Sequence, residues 1–150
     1  MRKQVVLLIV SFLFSARVIS QELKLVVPSA HPQRINSVLV DKQGKFLYTF
    51  DDSKCIMWNI ATGKQLHTFE TAFITGYDLN PEGTKLILSS KSGVNLFNTE
   101  NGNLIKFFPS SKYNYNAIFT EDGSKIIGTN EEGEIDLIDL SDFSSSVFIS

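Results

Sequence analysis

Between Asp41 and Phe69 the sequence DKQGKFLYTFDDSKCIMWNIATGKQLHTF sets short apolar runs between polar turns. The runs are Phe46–Phe50, Cys55–Ile60 and Leu66–Phe69. The turn formers are Lys42-Gln43-Gly44, Asp51-Asp52-Ser53 and Ala61-Thr62-Gly63. Short stretches rich in β-branched and aromatic residues, bounded by Gly, Asp and Ser, predict antiparallel strands joined by tight hairpins.

The same pattern is then repeated. At a shift of 39 residues Gly44 falls on Gly83, Trp58 on Phe97, Asn59 on Asn98 and Gly63 on Gly102, without a gap. A third copy starts at Glu121-Asp122-Gly123 and reaches Ile138-Asp139, with one extra residue near Glu131-Glu132-Gly133. Self-similarity at this period marks a repeat architecture, and four strands per repeat predict propeller blades.

The predicted strands lie near Arg34–Val40, Phe46–Phe50, Cys55–Ile60 and Leu66–Phe69 in the first copy. In the second they lie near Phe73–Leu79, Lys85–Ser89, Val94–Asn98 and Leu104–Phe108. The third has Tyr115–Thr120, Lys125–Thr129, Ile135–Asp139 and Ser146–Ser150. A lone strand, Glu22–Val27, precedes them and ends at Pro28. No long stretch has a 3.6-residue period, so little helix is expected beyond the N-terminus. Turn chemistry agrees: Asn80-Pro81-Glu82-Gly83 suits a type I turn followed by a left-handed residue, and Asn101-Gly102 and Asp122-Gly123 are short-hairpin dipeptides. The middle strands do not alternate. Ile56-Met57-Trp58, Leu86-Ile87-Leu88 and Ile126-Ile127 are continuous runs, as expected where both faces of a sheet are covered. Stacked blades cover both faces; a two-layer sandwich leaves more polar positions facing outward.

The first residues change the picture. Arg2-Lys3, the apolar run Val5–Phe14 and the small residues up to Ser20 describe a secretory signal peptide over 1–20, with Gln21 as the mature start. Ten apolar residues are too few to span a bilayer, which needs about 20. Cleavage leaves 11 basic residues against 16 acidic ones, a net charge of −5. That balance argues against nucleic acid or anionic lipid as partner, and no membrane association is expected of an exported product. Cys55 is the only cysteine, so no intramolecular disulfide exists, and its apolar surroundings predict a small buried hydrophobe. There is no zinc pattern and no redox pair; no cofactor is expected.

The first copy, with His31, Ile35-Asn36-Ser37-Val38, Gly44-Lys45, Asp51-Asp52, Trp58-Asn59 and Thr62-Gly63-Lys64, resembles the WD-repeat β-propeller family, of a secreted bacterial type with degenerate repeats. The resemblance covers about residues 22–150, with repeats near 31–69, 70–108 and 113–150. It implies a buried hydrogen-bonded chain running through His31, a strand hydroxyl at Thr49, Asp52 and Trp58. It also implies repeat turns at Gly44, Gly63, Gly83, Gly102 and Gly123. The other copies depart: Phe97-Asn98 and Ile138-Asp139 stand for Trp-Asp, Lys91 stands at the Asp52 position, and no His heads either copy. Their blades are expected to be held by packing alone. Closed propellers have about 4–8 blades; three repeats suggest the N-terminal portion of a larger ring, with self-association through open blade edges as one outcome.

No His lies at a catalytic spacing from a Ser, Cys or carboxylate. His31 reads as a structural hydrogen-bonder and His67, on an outer strand, as exposed. Asp51-Asp52 and Glu131-Glu132-Gly133-Glu134 lack a spaced cation-ligand pattern and read as solvated turn charges. Tyr113-Asn114-Tyr115-Asn116 reads as strand packing, with a contact surface as the alternative. The expected function is a non-catalytic protein-interaction scaffold whose loops carry the contacts. The alternatives are a sensing or docking segment of a longer secreted enzyme, peptidase-like or other, and a degenerate fragment without function.

Overall fold

The computed structural model of the chain describes residues 30–110 and 114–149, and the side chains of all of these except Asn114 and Tyr115. The expected signal peptide, the strand Glu22–Val27, Tyr113 and the side chain of Tyr115 lie outside the described residues. Every regular element among those residues is a β-strand: β1 Ser37–Val40, β2 Phe46–Phe50, β3 Lys54–Asn59, β4 Gln65–Glu70, β5 Ile74–Leu79, β6 Lys85–Ser90, β7 Gly93–Asn98, β8 Leu104–Pro109, β9 Asn114–Phe119, β10 Lys125–Asn130, β11 Ile135–Asp139 and β12 Ser145–Ile149. They form three four-stranded antiparallel sheets, β1 to β4, β5 to β8 and β9 to β12, each in sequence order. These are blades 1, 2 and 3 of a partial β-propeller.

The continuous apolar runs are explained by two seams between blades. On β6, Leu86 and Leu88 pack with Tyr48, Phe50, Cys55, Met57 and Phe69 of blade 1. Ile87, between them, points the other way and packs with Ala117, Phe119, Ile126 and Ile138 of blade 3. Successive strand residues face opposite sides, so a blade between two others needs apolar side chains on both. Aromatic pairs lock the first seam: Phe50 stacks on Tyr77 at 3.8 Å, and Phe69 meets Phe97 edge-on at 5.4 Å. In the second seam Asp78 of β5 accepts the Phe119 N–H of β9 at 2.8 Å.

Two predicted strands begin too early. Arg34–Val40 starts only at Ser37, because its partner β2 ends at Phe50, paired with Ser37. Phe73 is excluded from β5 by its φ of 53°, a left-handed conformation incompatible with a strand. Registers make the blades comparable position by position. The outer pairs of blades 1 and 2 carry a bulge at the same place, between Met57 and Trp58 and between Leu96 and Phe97. The repeat-turn glycines Gly44, Gly83 and Gly123 all adopt positive φ, near 70°.

Candidate functional site

Blade 1 contains a continuous hydrogen-bonded chain. The Trp58 indole Nε1–H donates to Thr49 Oγ1 at 2.8 Å. Thr49 Oγ1 lies 2.7 Å from His31 Nε2, and His31 Nδ1 lies 2.8 Å from Asp51 Oδ2. One assignment of protons satisfies every member: the Thr49 hydroxyl donates to Nε2 of a neutral imidazole, and Nδ1–H donates to the carboxylate. β2 and β3 place Thr49 and Trp58 on one face in adjacent strands, and the turn between them supplies Asp51. The Thr49 and Trp58 residues and the Asp51 carboxylate are almost wholly removed from water, so each polar atom needs its partner.

The carboxylate in this chain is Asp51, not Asp52. Asp52 is exposed and accepts from the Asn36 amide. The reason lies in the turn: Asp51 Oδ1 accepts the N–H groups of Ser53 and Lys54 at 2.8 and 2.9 Å, which turns its other oxygen toward His31. Asp51 is therefore no solvated turn charge either. Burial pushes its pKa up, but the bonds from His31, the two backbone N–H groups and the Ser53 hydroxyl outweigh this and hold it below the usual carboxylate value.

In blade 2 Leu88, Phe97 and Ser90 stand at the positions of Thr49, Trp58 and Asp51; in blade 3 these are Gly128, Ile138 and Asn130. Asn130 keeps the turn role, its Oδ1 accepting the N–H groups of Glu132 and Glu134 at 3.1 Å. His67 is half-buried rather than exposed: its Nε2 bonds the Glu100 carbonyl at 2.9 Å, tying blade 1 to blade 2. Cys55 is fully buried, and burial raises its thiol pKa well above the ordinary value.

Two residues went unnoticed in the sequence. Phe73 is 68 % exposed on the connection from β4 to β5, at the end of the molecule that also carries His31, Asp52 and an open depression lined by Pro32, Ser53, Lys54, Glu70 and Thr71. Phe143, with φ 59°, occupies the turn position that is Gly63 in blade 1 and Gly102 in blade 2. The repeat register carried that second signal. Among the described residues no group of three His, Cys, Asp or Glu side chains could hold a metal ion, and no helix is long and apolar enough to cross a membrane.

No protein-family model matches the sequence, and no curated protein matches it. Solved structures do share the fold. The β-propeller domain of Myceliophteria thermophila Cps50 (Swd1) is similar at 16 % identity and TM-score 0.67, over 77 % of this chain and 38 % of that one. The RRP9 WD40 repeats are similar at 11 % identity and TM-score 0.71, over 80 % and 40 %. Kuenenia stuttgartiensis hydrazine synthase is similar at 12 % identity and TM-score 0.65, over 80 % and 38 %. The chain thus has a WD40-like propeller fold and spans about two-fifths of the length of the structures it matches.

Proposed function

We propose that this chain is a non-catalytic protein-interaction scaffold, and that the end of the propeller carrying Phe73 is its contact surface. The observation that supports this reading is Phe73 itself. A phenylalanine 68 % exposed in a left-handed backbone conformation buries little of its ring at a cost in backbone energy, and strained residues cluster at functional sites. Beside it the His31 chain fixes the β2–β3 turn, and the Ile74 N–H donates to the Asp52 carbonyl at 2.8 Å, so the platform is rigid. Rigid loops on a packed scaffold suit recognition without an ordering cost.

The proposal extends to placement. The basic start and apolar run Val5–Phe14 support export, with cleavage near Ser20, and the partner is then a protein outside the cytoplasm. The outer faces of blades 1 and 3, with Val38 60 % and Ile118 47 % exposed, are suited to further blades or to a second copy. A segment within a longer enzyme is the second reading, supported by the likeness to hydrazine synthase.

A photocrosslinking residue placed at Phe73 tests the main reading, with the same residue at Glu121, on the opposite end, as control. Adducts to a protein partner are expected from position 73 and not from 121. Equal adducts from both, or none from 73, would overturn the assignment of this end.

A further inference from the structure

The two seams differ at their outer rim. In the first the rim is closed. His67 of β4 lies against Gly102, Phe69 meets Phe97, and the Asn95 amide donates to Thr71 Oγ1 at 2.9 Å. In the second, every corresponding position but the Phe69 one has changed. Lys106 stands for His67, Phe108 for Phe69, Ile138 for Phe97, Phe143 for Gly102 and Asp136 for Asn95, while Gly128 replaces Leu88. Smaller side chains at Gly128 and Ile138 leave a cleft of about 430 Å³ between blades 2 and 3. Val94, Phe108 and Ile138 line it as apolar surface, and Asp136, Glu134 and Asn130 line it as polar surface. Asn130 Nδ2 donates to Glu134 Oε2 at 3.0 Å and lies 3.5 Å from Asp136 Oδ2.

Phe143 forms the lip. Its ring stands 6.0 Å from Phe108, tilted by 50°, and Lys106 Nζ lies 5.9 Å from its centre. A glycine would hold this turn without strain, as it does twice in the same chain. The phenylalanine stands where it costs backbone energy and where it walls the cleft.

We propose that this cleft binds the side chain of an arginine presented by an extended segment of another protein. The aliphatic stem lies over the wall formed by the paired Phe108 and Val94, and the guanidinium plane suits both the ring face of Phe143 and the Asp136 carboxylate. Lysine, a compact hydrated charge, uses such a flat aromatic and carboxylate pairing less well. The segment itself runs along β12, whose residues are exposed throughout and whose Val147 lines the cleft. The free edge of that strand offers backbone N–H and carbonyl groups to an added strand. This site lies on the rim, away from Phe73, and stands or falls separately from that surface.

The test uses a blocked eight-residue β-forming peptide with a central arginine, and its citrulline and lysine versions, titrated by calorimetry into the full chain. The arginine peptide is expected to bind and the uncharged citrulline peptide to bind at least about tenfold more weakly, since a hydrogen bond to a charged group contributes about 1.5–3 kcal/mol. Asp136→Asn is expected to weaken the arginine peptide by a similar factor at unchanged melting temperature. Lys106→Gln should tighten it, because a like charge at the lip is removed. Phe143→Gly, which restores the residue of the other two blades, should fold at least as stably yet bind more weakly. Equal binding of arginine and citrulline, tighter binding in Asp136→Asn, weaker binding in Lys106→Gln, or no arginine binding at about 1 mM, the weak end of recognition, would overturn the proposal.

Discussion

Thr49 is the joint of the blade 1 chain, and replacing it with valine removes one hydroxyl while keeping the shape. Two partners lose their bond at once. The Trp58 indole N–H, in a residue 2 % exposed, has no water to turn to, and His31 Nε2 is left facing a methyl group. A buried polar group stranded in this way costs about 1–3 kcal/mol, so Thr49→Val should destabilise the protein by about 2–6 kcal/mol. The lower half of that range is expected, because His31 sits at the molecule's end and water reaches it on slight relaxation. Against a total stability of about 5–15 kcal/mol the loss is large. Trp58→Phe deletes the donor from the other side. If the chain is the physical unit, the two changes together must cost less than their sum by about 1 kcal/mol or more, since with Trp58→Phe there is no indole N–H left for the valine to strand. Blade 2 already carries the apolar solution, Leu88 beside Phe97. Urea denaturation of the four proteins measures this, and additivity within about 0.5 kcal/mol would refute the chain as a coupled unit.

Other outcomes follow from the same structure. Because folding lowers the Asp51 pKa, the unfolded chain takes up its proton first as pH falls; this contribution to stability is complete above the unfolded value near about 4 and disappears as pH drops through the lower folded value. Asp51→Asn should therefore flatten the acid limb of a melting-temperature profile, and an unchanged limb would contradict the assignment. Trp58→Ala should be the most damaging single change in blade 1, at about 3–5 kcal/mol, measurable by the same denaturation. Cys55 should resist a thiol reagent in the native protein and react fully in denaturant; rapid native labelling would show that the first seam opens. Light scattering on residues 21–150 should report association, since the Val38 and Ile118 faces leave apolar surface bare; a cooperatively melting monomer would show that three blades suffice.

The sequence determined the blades because their signals are local. Short continuous apolar runs, the turn dipeptides between them and a shift of 39 residues are legible directly along the chain, and hydrogen bonding between adjacent hairpin strands converts them into sheets. The resemblance to WD repeats further marked His31, Thr49 and Trp58 as members of one hydrogen-bonded chain. The choice between Asp51 and Asp52 was not local: adjacent residues look alike in sequence, and only the turn, with two backbone N–H groups held by Asp51, decided which carboxylate meets the imidazole. His67 looked exposed because an outer strand is exposed in a single blade; the next blade's Glu100 carbonyl half-buries it. The cleft at the second seam is tertiary for the same reason. Gly128, Asp136 and Phe143 are ordinary residues along the chain, and they make an opening only because blade 2 stands opposite them with Phe108 and Val94.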